Sequence, residues 1–369
     1  LLLSFRSREA PGSSLSVSPA GTRSAREQRA SGTALDAVVA ERISLLRLVL
    51  ICAIVFIHVP VPDAYLSPSA WGFAMLRAIL CDGLFRVTVP MLTAISGFLL
   101  FRASLDERWG ELLRRKSRTI LLPLVVWNLP LLMALYVVER DGLGGHEFAV
   151  RAYPFDLWTW ADSTLGLTYQ PANYPLYFLR DLFITSLMAP MMGLLLRRAP
   201  WLGLALVVGL FYPDLDGSLI LRDTMPINFF LGGLVAVRRW NVRRLDRAWP
   251  LCFAALAVSA AAIGAFGITD IRWFAVAAPF LVWPASSALA GTPLSRWMAR
   301  HSSKSFAIFV SHAPILVALW VAFEHVGSDR IYPAFWLLAP FVAMAVAVAI
   351  RLVAYRIAPR LAALAYGAR

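Results

Sequence analysis

Residues 41–62 read ERISLLRLVLICAIVFIHVPVP. From Ile43 onward the run holds one cation, Arg47, and one histidine, His58, and is otherwise almost entirely apolar. A bilayer's hydrocarbon core takes about 20 such residues in a helix. Working outward, nine further apolar runs follow near 83–101, 119–138, 175–196, 200–213, 219–237, 249–267, 271–290, 305–323 and 333–354. The fifth run is short, and the sixth opens on Arg222 and Asp223. The expected fold is therefore an all-α membrane protein, a polytopic bundle of about ten transmembrane helices.

Composition agrees with that class. Hydrophobic residues make up 59% of the 369-residue chain and charged residues 15%, where soluble domains sit nearer half and a quarter. The net charge of +13 does not indicate nucleic acid, because the arginines cluster between apolar runs. If the runs alternate across a bilayer, one side collects 26 Lys and Arg and the other five. The basic side is the cytoplasmic one, which puts both termini there. Cys52, Cys81 and Cys252 lie in or beside apolar runs with no paired spacing, so neither a disulfide framework nor a metal site is expected.

Residues 1–40 are rich in Ser, Ala, Gly and Arg and read as a disordered cytoplasmic tail. They open on Leu1 rather than methionine, so part of this tail is expected to reflect a fragment or an upstream misread. The expected organisation is this tail, a transmembrane domain over 41–357, and a cytoplasmic C-terminal tail over 358–369. The connection from Arg140 to Tyr174 combines Trp158, Trp160 and Tyr169 with acidic residues. It reads either as an interfacial hairpin or as a sugar-facing lid.

A titratable residue inside a membrane helix is costly, so each is a candidate for function. Arg47 and His58 are eleven positions apart, which returns to within about 20° of one helix face and separates them by roughly 16 Å. Neutral imidazole is cheaper to bury than a charge, and it can take a proton from a hydroxyl or carry an acyl group. Alone, a membrane histidine is a hydrogen-bonding core residue, and so is His312. Arg115 and Arg118 share a helix face and suit a phosphate, although such clusters also serve simply to orient a helix. Asp82 and Arg86 have the i,i+4 spacing of an ion pair. Asn128 and the Arg180-Asp181 pair should face the bundle interior.

These motifs, taken in order, resemble the acyltransferase 3 family of integral membrane proteins. The resemblance is carried by Arg47…His58, Arg86-Val-x-Val-Pro leading to Ser96-Gly97-Phe98, and Arg115-x-x-Arg118 before Leu122-Pro123. It continues through Pro175–Leu179, Asn228–Gly233 and Ser305–His312, and covers roughly 41–355. The opening 41–47 is similar to exopolysaccharide-decorating members of the succinoglycan type. The chain departs from the family at Tyr177, often Trp, and at Phe309, often Tyr.

The resemblance implies an O-acyltransferase of the bacterial inner membrane that moves an acyl group from acyl-CoA to a surface or exopolysaccharide sugar. Acetyl-CoA comes first among the donors and succinyl-CoA second, and the acceptor is a glycan or lipid-linked oligosaccharide. It implies His58 as catalytic histidine with Arg47 as partner, and Arg115 and Arg118 at the donor. Arg86, Asn128 and His312 are further candidates, and no metal is expected. A transporter or flippase for a glycan or lipid-linked intermediate would also bury Arg and His in a bundle, and a non-catalytic scaffold is a third reading.

Overall fold

Asp36 starts the first helix by accepting a hydrogen bond from the Val38 amide at 2.9 Å, and α1 then runs Ala37–Ile57. His58 caps its far end, where Pro60 and Pro62 supply no amide to continue the ladder. The computed structural model describes residues 36–66, 72–142, 150–217 and 219–367, and no strand occurs among them.

The helices that follow are α2 (Phe73–Arg102), α3 (Trp109–Arg140), the short α4 (Leu157–Leu165), α5 (Tyr174–Leu187) and α6 (Ala189–Arg198). Then come α7 (Pro200–Phe211), α8 (Thr224–Val237), α9 (Arg244–Phe266), α10 (Arg272–Ala285), α11 (Pro293–Val326), α12 (Asp329–Ile357) and α13 (Pro359–Ala365). Helices α5 and α6 form one segment bent by 54°, and Pro190 lies at the break.

Each expected apolar run falls on a helix, with α5 and α6 sharing one run. Five helices among the described residues are long and apolar enough to cross a membrane, and six if the bent pair crosses as one. The shortfall from ten has physical causes. Helix α1 has 21 residues but carries Glu41, Arg42 and Arg47. Helix α7 has 12 residues, and α8 and α10 have 14 each. At about 1.5 Å per residue these fall short of a hydrocarbon core of about 30 Å.

The expected tails fall partly outside the described residues. Residues 1–35 lie outside the described residues, and 37–40 already belong to α1. The C-terminal stretch folds back as α13, where Trp127 donates to the Ala365 carbonyl at 3.0 Å and Tyr366 stacks on Tyr355. After α3, Glu139 accepts from the Ala152 and Tyr153 amides, each at 2.8 Å. Asp156 then caps α4, and the Thr159 hydroxyl and amide hold its carboxyl below the usual range.

Helix α2 is the centre of the packing. A Cβ on Gly232 would lie 2.0 Å from the Ala94 carbonyl oxygen, and one on Gly97 would lie 2.1 Å from that of Phe229. The backbones of α2 and α8 therefore touch, as small residues permit between membrane helices. Gly83 and Gly264 do the same for α2 and α9, each with its missing Cβ 2.5 Å from backbone. Gly232→Leu is expected to cost at least about 3 kcal/mol, because no rotamer relieves a clash with backbone. Yield and melting temperature of detergent-purified protein would check this, with Gly209→Leu, which meets open space, expected to behave as wild type.

Arg42 ties the start of α1 to the bundle. It is 1% exposed, bonds both Asp246 oxygens at 2.9 and 2.8 Å, and lies 4.1 Å over the Trp283 ring. Ser286 and the Trp283 carbonyl take its remaining donors, and Glu41 accepts from Ser295.

Candidate active site

His58 stands where α1 ends and lines a cavity of about 1030 Å³. Its position is fixed from several sides. Tyr332 donates to the Pro60 carbonyl at 2.9 Å, and the Tyr174 ring meets the imidazole edge-on at 5.1 Å. Two residues back, Phe56 packs edge-on against Trp336 with centroids 5.1 Å apart.

The second histidine arrives from α11. His312 is fully buried, with Nδ1 at 2.7 Å from the Phe309 carbonyl and Nε2 at 3.0 Å from His58 Nδ1. A carbonyl only accepts, so Nδ1 of His312 carries the proton and its Nε2, in the neutral ring, is an acceptor. His58 must then donate from Nδ1, which leaves its Nε2 with a bare lone pair. The tautomers are assigned from the network in this way. The pair is a two-step relay ending in a base on the cavity wall.

Sequence chemistry near His312 explains how the relay is held. Pro314 has no amide, so the carbonyl four residues earlier, that of Val310, loses its helical partner. Asn173 fills the gap, donating from Nδ2 to Val310 O at 2.9 Å. The Asn173 amide in turn donates to Asn128 Oδ1 at 2.7 Å, and Asn128 Nδ2 bonds the Leu124 carbonyl at 2.8 Å. Asn128, fully buried in α3, thus fixes the chain that leads into Tyr174.

The cavity wall combines helix ends with the connections beside them: the stretches 58–66, 170–175, 221–224 and 269–272 all contribute. Its charged groups are Arg86, Arg222, Arg272, Asp223 and Asp270. Arg86 lies 3.4 Å from Asp82, the pair the spacing predicts, and Asp82 is also 3.4 Å from Arg77. Asp181, fully buried and paired with Arg180 at 2.8 Å, accepts from the Leu221 and Arg222 amides at 3.2 and 3.0 Å. This carboxylate sets the backbone from which Arg222 projects. The aromatic residues of the 140–174 connection divide: Tyr174 and the neighbouring Gln170 line the cavity, while Trp158, Trp160 and Tyr169 are not on its wall.

The other candidates lie elsewhere. Arg47 is about three turns down α1 from His58, is not on the cavity wall, and has its Nε buried without a hydrogen-bond partner among the described residues. Arg115 is 4.0 Å from Glu111, and Arg118 is exposed. Both stand near the start of α3, roughly 15–20 Å along the axis from Asn128, and neither lines the cavity. The structure brings together His58, His312 and Arg86. It attaches Asn128 through Asn173, and leaves Arg47, Arg115 and Arg118 toward the opposite end. Among the described residues no group of three or more His, Cys, Asp or Glu side chains is placed to hold a metal ion.

Several residues of the site escaped the sequence reading. Asn173 and Tyr174 gave no signal beyond lying beside the Pro175–Leu179 motif. Arg222 stood out only as an odd charge at the start of a run. The two family departures now have locations. Phe309 serves the relay through its carbonyl, which any residue supplies, whereas Tyr177 lies in the cavity wall beneath Arg222.

Comparison with known proteins gives the family. The sequence profile of the acyltransferase 3 family, an acyltransferase domain, matches residues 41–354. The chain is 34% identical over 352 residues to the succinoglycan biosynthesis protein ExoH of Rhizobium meliloti (strain 1021), covering 91% of this chain and 94% of the relative. No solved structure matches the chain at a significant level. The matched span begins at Glu41, just after α1 starts, and closes within α12, so it takes in both histidines and the whole cavity wall, and the chain belongs to the acyltransferase 3 family.

Proposed function

We propose that this protein is a multi-pass inner-membrane O-acyltransferase that moves an acetyl or succinyl group from acyl-CoA to a hydroxyl of an exopolysaccharide or related surface glycan. The observation that carries the proposal is the His58–His312 contact of 3.0 Å at the wall of a cavity large enough for sugar residues. Family membership supplies the reaction class, and the relative's part in succinoglycan biosynthesis points to the acceptor.

The glycan hydroxyl oxygen attacks the thioester carbonyl carbon, the C–S bond breaks, and the hydroxyl proton passes to His58 Nε2. From there it goes to the leaving thiolate, which departs as free coenzyme A. His312 holds the His58 ring in the useful tautomer and accepts from Nδ1 while the ring is charged. A neutral partner suits an apolar bundle, where a carboxylate would carry a heavy desolvation cost. The same lone pair is also able to take the acyl group first, as a nucleophile.

In this reading the ten apolar runs are the membrane segments, both termini are cytoplasmic, and the cavity faces outward. Arg115 and Arg118 hold the donor's phosphates on the cytoplasmic side. Arg47, with its buried unpartnered Nε, lies along the donor's path toward His58. Mass spectrometry of the glycan from wild-type and deletion strains tests the function. The expected result is loss of one acyl substituent from an otherwise intact glycan that still reaches the surface. An unchanged acyl pattern with glycan held inside the cell would favour a transporter instead.

A further inference from the structure

The charge on the cavity wall is unevenly spent. Arg272 is clamped to Asp270 through two contacts of 3.1 and 3.0 Å and donates to the Tyr212 carbonyl at 3.0 Å. Its charge is answered. Arg86 has only a share of Asp82, which sits 3.4 Å from both Arg86 and Arg77. One carboxylate cannot neutralise two guanidinium groups. Arg222 forms no ion pair among the described residues. Its guanidinium lies 5.0 Å over the Tyr177 ring, and its backbone is held by Asp181. Among the described residues Asp223 forms no ion pair; the three wall arginines outnumber the two wall aspartates, with Asp82 offsetting part of the difference at Arg86.

Arg86 and Arg222 line the same cavity as His58. Arg222 is exposed and Arg86 half-buried, which places both where a ligand entering from the cavity side would meet them. A volume of about 1030 Å³ far exceeds what an acetyl or succinyl group needs and fits sugar residues. Tyr174, Tyr177 and Trp320 line the same wall.

We propose that the acceptor is acidic: the glycan unit acylated at His58 carries a carboxylate that Arg86 and Arg222 hold, and this carboxylate sets the register of the hydroxyl on His58. This rests on the reading of the cavity as the acceptor site of a glycan acyltransferase. Guanidinium forks match carboxylates in geometry and charge, whereas a neutral sugar gains nothing from a surplus of positive charge.

The test separates binding from chemistry. The probes are a short oligogalacturonide and its fully methyl-esterified form, which share one sugar backbone and differ in whether the carboxyl is a charged carboxylate or a neutral methyl ester, titrated into the purified protein in nanodiscs. The acidic form is expected to bind about tenfold or more tightly, the scale of one charge-assisted hydrogen bond. Raising the salt should shrink that preference. Arg222→Gln and Arg86→Gln should each reduce it, Arg222→Lys should retain part of it, and Arg140→Gln, outside the cavity, should leave it intact. His58→Ala, which stops acyl transfer under the proposed function, should keep the preference in full. Equal binding of the two probes by the wild-type protein would overturn the acidic acceptor while leaving the acyltransferase reading standing. A preference that survives Arg86→Gln and Arg222→Gln combined would overturn it as well. Failure of the glycan mass spectrometry with the preference intact would instead remove the acyltransferase reading and leave the anion site.

Discussion

His58→Ala is expected to lower acyl transfer about 10²–10⁴-fold, the range that general-base catalysis contributes, with the protein present at normal abundance in the membrane. Abundance should hold because the ring sits at a helix end and is only half-buried beside the cavity. Its removal leaves His312 Nε2 short of one hydrogen bond, a loss of about 1–2 kcal/mol that water in the cavity partly repairs. His312 should behave differently according to the replacement. His312→Gln keeps a polar group near His58 Nδ1 and should retain part of the activity. His312→Phe removes the acceptor, releases the tautomer, and should approach the His58→Ala level. Acyl-CoA-dependent labelling of glycan in isolated membranes reads both, with immunoblots to normalise for protein.

The second large effect falls on stability. Arg42→Ala should destabilise the fold by about 3 kcal/mol, the low end for breaking a buried ion pair, because Asp246 is left at 24% exposure rather than fully buried. The loss also strands Ser286 and the Trp283 carbonyl, and removes the cation over the Trp283 ring. Because Arg42 joins α1 to the C-terminal end of α10 and to the first turn of α9, the whole N-terminal attachment should loosen. A lower melting temperature and poor recovery from detergent are the expected readouts. Arg42→Met combined with Asp246→Asn should recover much of the stability, since no unpaired charge then remains. If the double variant is no better than Arg42→Ala, the pair matters through geometry rather than charge.

The contrast between Arg42 and Arg47 shows what the sequence carried and what it did not. Both lie within the first seven residues of 41–62, and Arg47 drew attention because it stands deeper in the apolar run. Depth is legible from spacing, but partners are not. Asp246 and Ser286 are more than 200 residues away, and nothing in the local pattern announces them. Helix positions were legible because burial in a bilayer demands long apolar runs, and the Asp82–Arg86 pair followed from helix geometry alone. Helix lengths were less so: α7 and α10 end before their runs do and α8 starts after its run does, at connections that a hydropathy run does not mark sharply.

The site was half legible. His58 and His312 could each be named from depth and from the ordered motifs. Their contact could not, because it joins residues 254 positions apart and depends on how α1 and α11 are rotated against each other. Pro314 was the available clue: a proline two residues past a buried histidine frees a carbonyl, and Asn173 answers it. Tyr174 and Tyr177 come from the first turn of α5 and Arg222 from the connection before α8, where periodicity says little about which side chains converge.

A double-mutant cycle on the two histidines tests the dyad most directly. Initial rates of acyl transfer from radiolabelled acyl-CoA to glycan would be measured in membranes bearing wild type, His58→Ala, His312→Ala and the double variant. If His312 acts only through His58, the double variant should be no slower than His58→Ala, within about twofold. Losses that multiply across the two sites, or full activity in His58→Ala at normal abundance, would contradict it.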